Sequence, residues 1–162
     1  MDAASATLLR SLDSQRNHVT GILEGLSDDA LRTPVLPTGW SCVGLVQHLA
    51  LDVEQFWFRV VMAAEVGEPG AVESARSAWE VDDDVAPSSV LARYRGEIEH
   101  ANRIITASSL DTPPAWWPDF FGDFRLPDLQ AVMLHVITET ACHAGHLDIA
   151  RELLDGRTWL IL

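Results

Sequence analysis

The chain has 162 residues, with 24 acidic and 11 basic side chains and a formal net charge of -13. That length suits one domain spanning residues 1–162, with enough chain to bury a core. The acidic balance excludes a nucleic-acid binder, which needs a basic face against phosphates, and an anionic membrane surface as partner.

Hydrophobic residues make up 48% of the chain, the composition of a folded globule and not of a disordered segment. The two cysteines, Cys42 and Cys142, cannot build a disulfide framework and suit a reduced, intracellular setting. The N-terminus has no apolar leader core, and apolar runs such as 60–64 are too short to span a bilayer. The expectation is a soluble cytoplasmic protein.

Four segments carry helical periodicity. The first runs from Ala4 to Leu26, with Leu8, Leu12, Val19, Ile22, Leu23 and Leu26 mostly on one stripe. Pro34, Pro37 and Gly39 interrupt it. The second starts after Trp40 with Ser41 as N-cap and continues through Val43, Val46, Leu49, Val53, Trp57 and Val61 to about Glu65. Gly67, Pro69 and Gly70 end it, and the acidic stretch from Glu73 to Pro87 reads as a solvated loop or short helix. The third runs from Ser88 to Ala107. The loop from Asp111 to Leu126 is rich in Pro, Trp and Phe, so it is expected to cover something apolar. The fourth begins near Pro127, with Asp128 complementing the helix dipole, and ends at Asp155, with Gly156 just past it. The apolar tail 157–162 is expected to pack back or to sit at a subunit contact. No segment alternates as a strand does. Four long helices predict an all-α four-helix bundle, and the long loops leave room for a crossover connection.

Histidine is the informative residue. Of six, His135, His143 and His146 fall in the fourth segment, while His18 and His100 lie in polar surroundings, as surface residues do. Residues at i and i+4 share a helix face, so Glu139 pairs with either His143 or His135. His135 and His143 are two turns apart and cannot easily share one ion. The choice lies between the two adjacent pairs. A third ligand must come from another helix, and His48, flanked by Leu45, Val46 and Leu49, is the candidate. Two imidazoles and one carboxylate leave a coordination position open, as reactive metal sites do. Against this stands a plainer reading, in which His48 is a hydrogen-bonded core histidine and Glu139–His143 a helix-face pair.

Two stretches tip the balance. Pro37-Thr38-Gly39-Trp40-Ser41, Gly44-Leu45-Val46-Gln47-His48-Leu49-Ala50, Glu54 and Trp57 form the first. Glu139-Thr140-Ala141-Cys142-His143-Ala144-Gly145-His146-Leu147-Asp148-Ile149 is the second. Together they resemble the signatures of the DinB/YfiT-like superfamily. The branch they resemble is the actinobacterial one, which includes the N-terminal domain of mycothiol-dependent maleylpyruvate isomerase and mycothiol S-transferase-like proteins. The resemblance implies a DinB-like four-helix bundle with a crossover. It implies a divalent metal, zinc or nickel, on His48, Glu139 and His143, with mycothiol or a similar thiol as cosubstrate. The isomerase's C-terminal domain has no counterpart here, which turns the expectation from isomerisation toward transfer of a thiol to a small electrophile.

Around that site, His146 is expected on the same face as His143, as a base, a substrate contact or a structural hydrogen bond. Arg151 is a candidate for the thiol cosubstrate or a substrate carboxylate, or pairs with Asp148. Asp52, at i+4 from His48, either orients that imidazole or, the reading slightly preferred, is a solvated charge. Cys42 and Cys142 are expected as buried packing, and Trp116, Trp117 and Phe120 as loop aromatics that pack on the bundle or line a pocket mouth. The competing activities are a metal-dependent hydrolase on the same residues and a non-catalytic, metal-binding stress-related bundle; a homodimer is compatible with each.

Overall fold

A computed structural model describes residues 1–65 and 78–159. It is built of helices, with no strand among the described residues. Helix α1 spans Ala3–Leu23 and opens on Asp2, whose carboxylate accepts the Ser5 amide. It stops three residues before the sequence periodicity suggests, because Gly25 takes φ 79° and turns the chain. A short helix α2, Asp28–Arg32, follows with Ser27 as N-cap and Asp28 and Asp29 in its first turn. The sequence did carry that signal, a serine followed by two acids.

Helix α3, Cys42–His48, starts on Ser41, whose hydroxyl accepts the Gly44 amide at 3.2 Å. The chain then continues without a break as a π-helical segment, Leu49–Met62. This winding is the main departure from the expected regular helix. Its buried side chains recur every four residues, as Leu49, Val53, Trp57 and Val61 and as Ala50, Glu54, Phe58 and Met62. A repeat of four or more suits hydrogen bonds running i→i+5 better than the α-helical 3.6.

Helix α4 spans Pro87–Ala107, with Pro87 in its first turn. Helix α5 spans Leu129–Asp155, capped by the Asp128 carboxylate on the Ala131 amide and closed by Gly156 at φ 77°. Two further α5 amides, of Leu129 and Gln130, donate to the carbonyls of Thr112 and Leu110 in the preceding loop.

Side-chain pairs fix the topology. His48 lies against His143 and Trp57 against His135, so the α3–π helix runs antiparallel to α5. Arg59 pairs with Glu97 and Glu65 with His100, so it runs parallel to α4. Arg151 near the end of α5 donates to the carbonyls of Ile22 and Glu24 at the end of α1, so these two are parallel. Parallel neighbours in sequence require a crossover. The chain leaves the π segment at Met62, is described to Glu65 and is next described at Ala78, whose carbonyl accepts from Gln47 near the opposite end. The expected crossover thus joins the π segment to α4.

The core is one cluster, with Tyr94, Phe58, Leu12, Leu45, Leu49 and Met133 fully buried. Through it runs a buried ion pair. Arg16 of α1 grips both oxygens of Glu54 in the π segment, at 2.7 and 2.6 Å, and also donates to Asn102 of α4. The aromatic loop packs on the bundle, with Phe121 stacked on Trp57 and Trp117 tilted against it. Trp159 of the tail folds back on α1. Its indole donates to His18 Nδ1 at 2.9 Å, and a Cβ at Gly21 would collide with its ring. His18, expected as a surface residue, thus anchors the tail at the surface of α1; residues 160–162 lie outside the described part.

Candidate active site

The end of α3, the start of the π segment and the middle of α5 bring three imidazoles and two carboxylates near one another. His48 and His143 have ring centres 5.0 Å apart, nearly perpendicular. Asp52, one turn after His48, lies 2.8 Å from its Nδ1. The solvated Asp52 of the sequence reading is thus corrected: the i+4 spacing survives the change in winding, and the carboxylate fixes the tautomer that carries its proton on Nδ1. The Nε2 lone pair of His48 is then the one left for a ligand.

On α5, His143 Nδ1 lies 3.4 Å from His146 Nδ1, and His143 Nε2 lies 3.8 Å from Glu139 Oε2. Burial, then the nearby His48 and His146, push the His143 imidazole down to about 4, so it is neutral at neutral pH. His135 stands apart from this group, edge-on to Trp57 at 4.6 Å and facing Phe124. Of the two pairs that spacing allows, His48 faces the Glu139–His143 one.

The π winding explains why one helix meets α5 twice. Nine residues separate His48 from Trp57. In an α-helix that is about two and a half turns, which would put them on opposite faces. The wider π winding makes it roughly two turns, so both face α5.

Two imidazoles sharing one tetrahedral ion through bonds of ~2.0–2.1 Å have ring centres about 5 Å apart, and this pair has that separation. Glu139 falls short. Donor atoms on such an ion lie about 3.3 Å apart, whereas its nearest oxygen is at 3.8 Å from His143 and its side chain is 41% exposed. Among the described residues no three His, Cys, Asp or Glu side chains converge on one point closely enough to hold a metal ion. The two imidazoles have a spacing compatible with a shared ion, while the Glu139 carboxylate as it stands does not reach it.

A family model for mycothiol-S-transferase matches residues 7–156. The chain belongs to the mycothiol-S-transferase family. No curated protein and no solved structure matches it. The matched span of that family contains the whole imidazole cluster and its supports.

The remaining candidates lie elsewhere or play other parts. Arg151 is 3% exposed, and its guanidinium is committed to the Ile22 and Glu24 carbonyls and to Asp155 at 2.9 Å. It joins α1 to α5; its partner is Asp155 instead of Asp148, whose carboxylate accepts the Trp159 amide. Cys142 is exposed, which corrects the expected buried packing: one position before His143, it turns about 100° away from the face that meets His48. Cys42 is buried as expected, and burial raises its thiol to about 11, so it is not a thiolate at neutral pH. Sequence reasoning missed Trp79 entirely. Its indole stacks on His48 at 4.2 Å and 18° and meets the edge of His143 at 5.7 Å. A lone tryptophan after an acidic, glycine-containing stretch carries no periodic signal that would have found it.

No helix among the described residues is long and apolar enough to cross a membrane.

Proposed function

We propose that this protein transfers a low-molecular-weight thiol of the mycothiol type to a small electrophile. In this reading a divalent metal ion, zinc or nickel, sits on His48, His143 and an inward-turned Glu139. The observation that carries it is the 5.0 Å pairing of two imidazoles whose outer nitrogens are already engaged, His48 by Asp52 and His143 by His146. A carboxylate partner such as Asp52 orients a metal-binding ring and raises its basicity, while His146 orients His143 only.

A divalent ion held there would lower the pKa of a bound thiol and keep it as the thiolate. The chain's own residues supply the rest. Asp52 keeps Nδ1 of His48 protonated, so Nε2 presents its lone pair. His146 is exposed at the rim beside Trp40, with Nδ1 turned to His143, so its Nε2 accepts the thiol proton. The sulfur then forms its bond to the electrophilic carbon, and the leaving group departs with the bonding pair or, for an added double bond, that pair takes the proton back. Arg151 does not enter this scheme, because its donors are already used within the fold.

The test is conjugation of a small electrophile with added thiol by the purified protein, alongside elemental analysis. One metal ion per chain is expected, and His48→Ala is expected to lower thiol-dependent turnover about a hundredfold or more with the helical circular dichroism unchanged. Undiminished turnover in a metal-stripped sample would overturn the metal-dependent reading; product without added thiol would overturn transfer in favour of hydrolysis.

A further inference from the structure

Trp79 has a more defined place than a residue of a connection needs. The backbone around it is held at three points. Gln47 Nε2 donates to the Ala78 carbonyl at 3.2 Å and to the Glu80 carbonyl at 2.8 Å. Gly44 lies so close to the Trp79 carbonyl that a Cβ there would run into that oxygen. Gly44 and Gln47 stand four and one residues before His48 on the same helix. The helix that carries the imidazole therefore also carries the clamp that delivers the indole to its face.

We propose that Trp79 is a positioning residue for the His48–His143 pair. The hydrogen bond to Asp52 leaves His48 free to rock about the Nδ1–Oδ2 line. A stacked indole at 4.2 Å removes that freedom by filling one face of the ring, and its contact with His143 sets the second imidazole against the first. The Nε2 lone pair of His48 is thereby aimed before any ligand arrives, and less ordering cost falls on binding. The proposal rests on the reading that these imidazoles hold a divalent ion, and the experiment separates the two.

The probes are the metal-free protein and zinc ion alone. In the metal-free protein, the ring protons of His48, assigned by their loss in His48→Ala, are expected upfield from the indole ring current. Trp79→Leu is expected to return them to ordinary positions, and Trp79→Phe to keep part of the shift. Zinc affinity, measured by competition with a chromophoric chelator, is expected to fall about tenfold in Trp79→Leu and to stay within about threefold of wild type in Trp79→Phe. Gly44→Ala, which keeps the indole but displaces its backbone, is expected to weaken zinc as Trp79→Leu does. If Trp79→Leu binds zinc as tightly as wild type while His48→Ala does not, Trp79 has no positioning role and the metal reading stands. If His48→Ala itself binds zinc normally, the metal reading falls and the proposal with it. Should the leucine variant fail to fold, the wild-type spectrum decides, because an unshifted His48 ring overturns the stack.

Discussion

Arg151 shows how one buried side chain can be assigned wrongly by spacing. At i+3 from Asp148 and near the histidines, it reads as a partner or an anion binder; in the fold its donors end on the last carbonyls of α1 and on Asp155. Those carbonyls have no acceptor role within α1 itself, so the guanidinium satisfies a helix end and ties it to α5. The Arg151 hydrogen bond, with help from the Arg157 amide, holds the Asp155 carboxyl below its ordinary 3.8. A depressed carboxylate contributes stability that is present above the unfolded value and is lost as pH falls through the folded one. Asp155→Asn is therefore expected to be less stable than wild type at neutral pH, with the gap closing below about pH 3.8 in urea melts followed across pH. A gap that stays constant to pH 2 would refute the ion-pair origin.

At the scale of elements, local signals were legible wherever a cap or a breaker wrote them. Ser41 and Gly156 stand where a helix start and stop were expected, and Asp128, read as a dipole partner, is the N-cap itself. Asp128→Ala is expected to cost about 1 kcal/mol in a denaturant titration, the usual loss for an N-cap. The π segment was not legible. Val53, Trp57 and Val61 are apolar and fit a helix of either winding, and the deciding residues, Ala50 and Glu54, are small or charged. Only the packing of Glu54 against Arg16, and of both His48 and Trp57 against α5, reveals a repeat wider than 3.6. The aromatic loop was legible in part: so many rings had to cover apolar surface, and they do so against Trp57.

For the whole molecule, the Arg16–Glu54 pair is the tie that spans the bundle. It links α1 to the π segment, and through Asn102 to α4, with both charges nearly excluded from water. The buried Tyr94 hydroxyl has no hydrogen-bond partner among the described residues, so the polar centre is not fully satisfied. Glu54→Gln leaves the buried Arg16 with only the half-exposed Asp13 as counter-charge, so it is expected to cost up to roughly 3 kcal/mol, read as a fall in the unfolding midpoint. Replacing both, as Arg16→Met with Glu54→Leu, is expected to recover most of it, since an apolar pair of similar volume avoids the desolvation cost. Equal losses in the single and double variants would show that the charges do not depend on each other.

What the sequence determined by itself is what repeats or caps within a few residues. The all-α class, the four long helical segments and the Glu139–His143 spacing all follow from local periodicity and breakers, while the crossover was implied by the family resemblance and only allowed by the loop lengths. The two motifs also pointed to the family that residues 7–156 match. The tertiary structure decided the contacts between residues far apart in the chain. His48 meets His143 and not His135, Trp79 lies on His48, and Arg151 is spent on the end of α1. None of these is encoded in a neighbouring residue. Each depends on the register between two helices, and that register is set by the summed packing of the core and by a π winding that no single position announces.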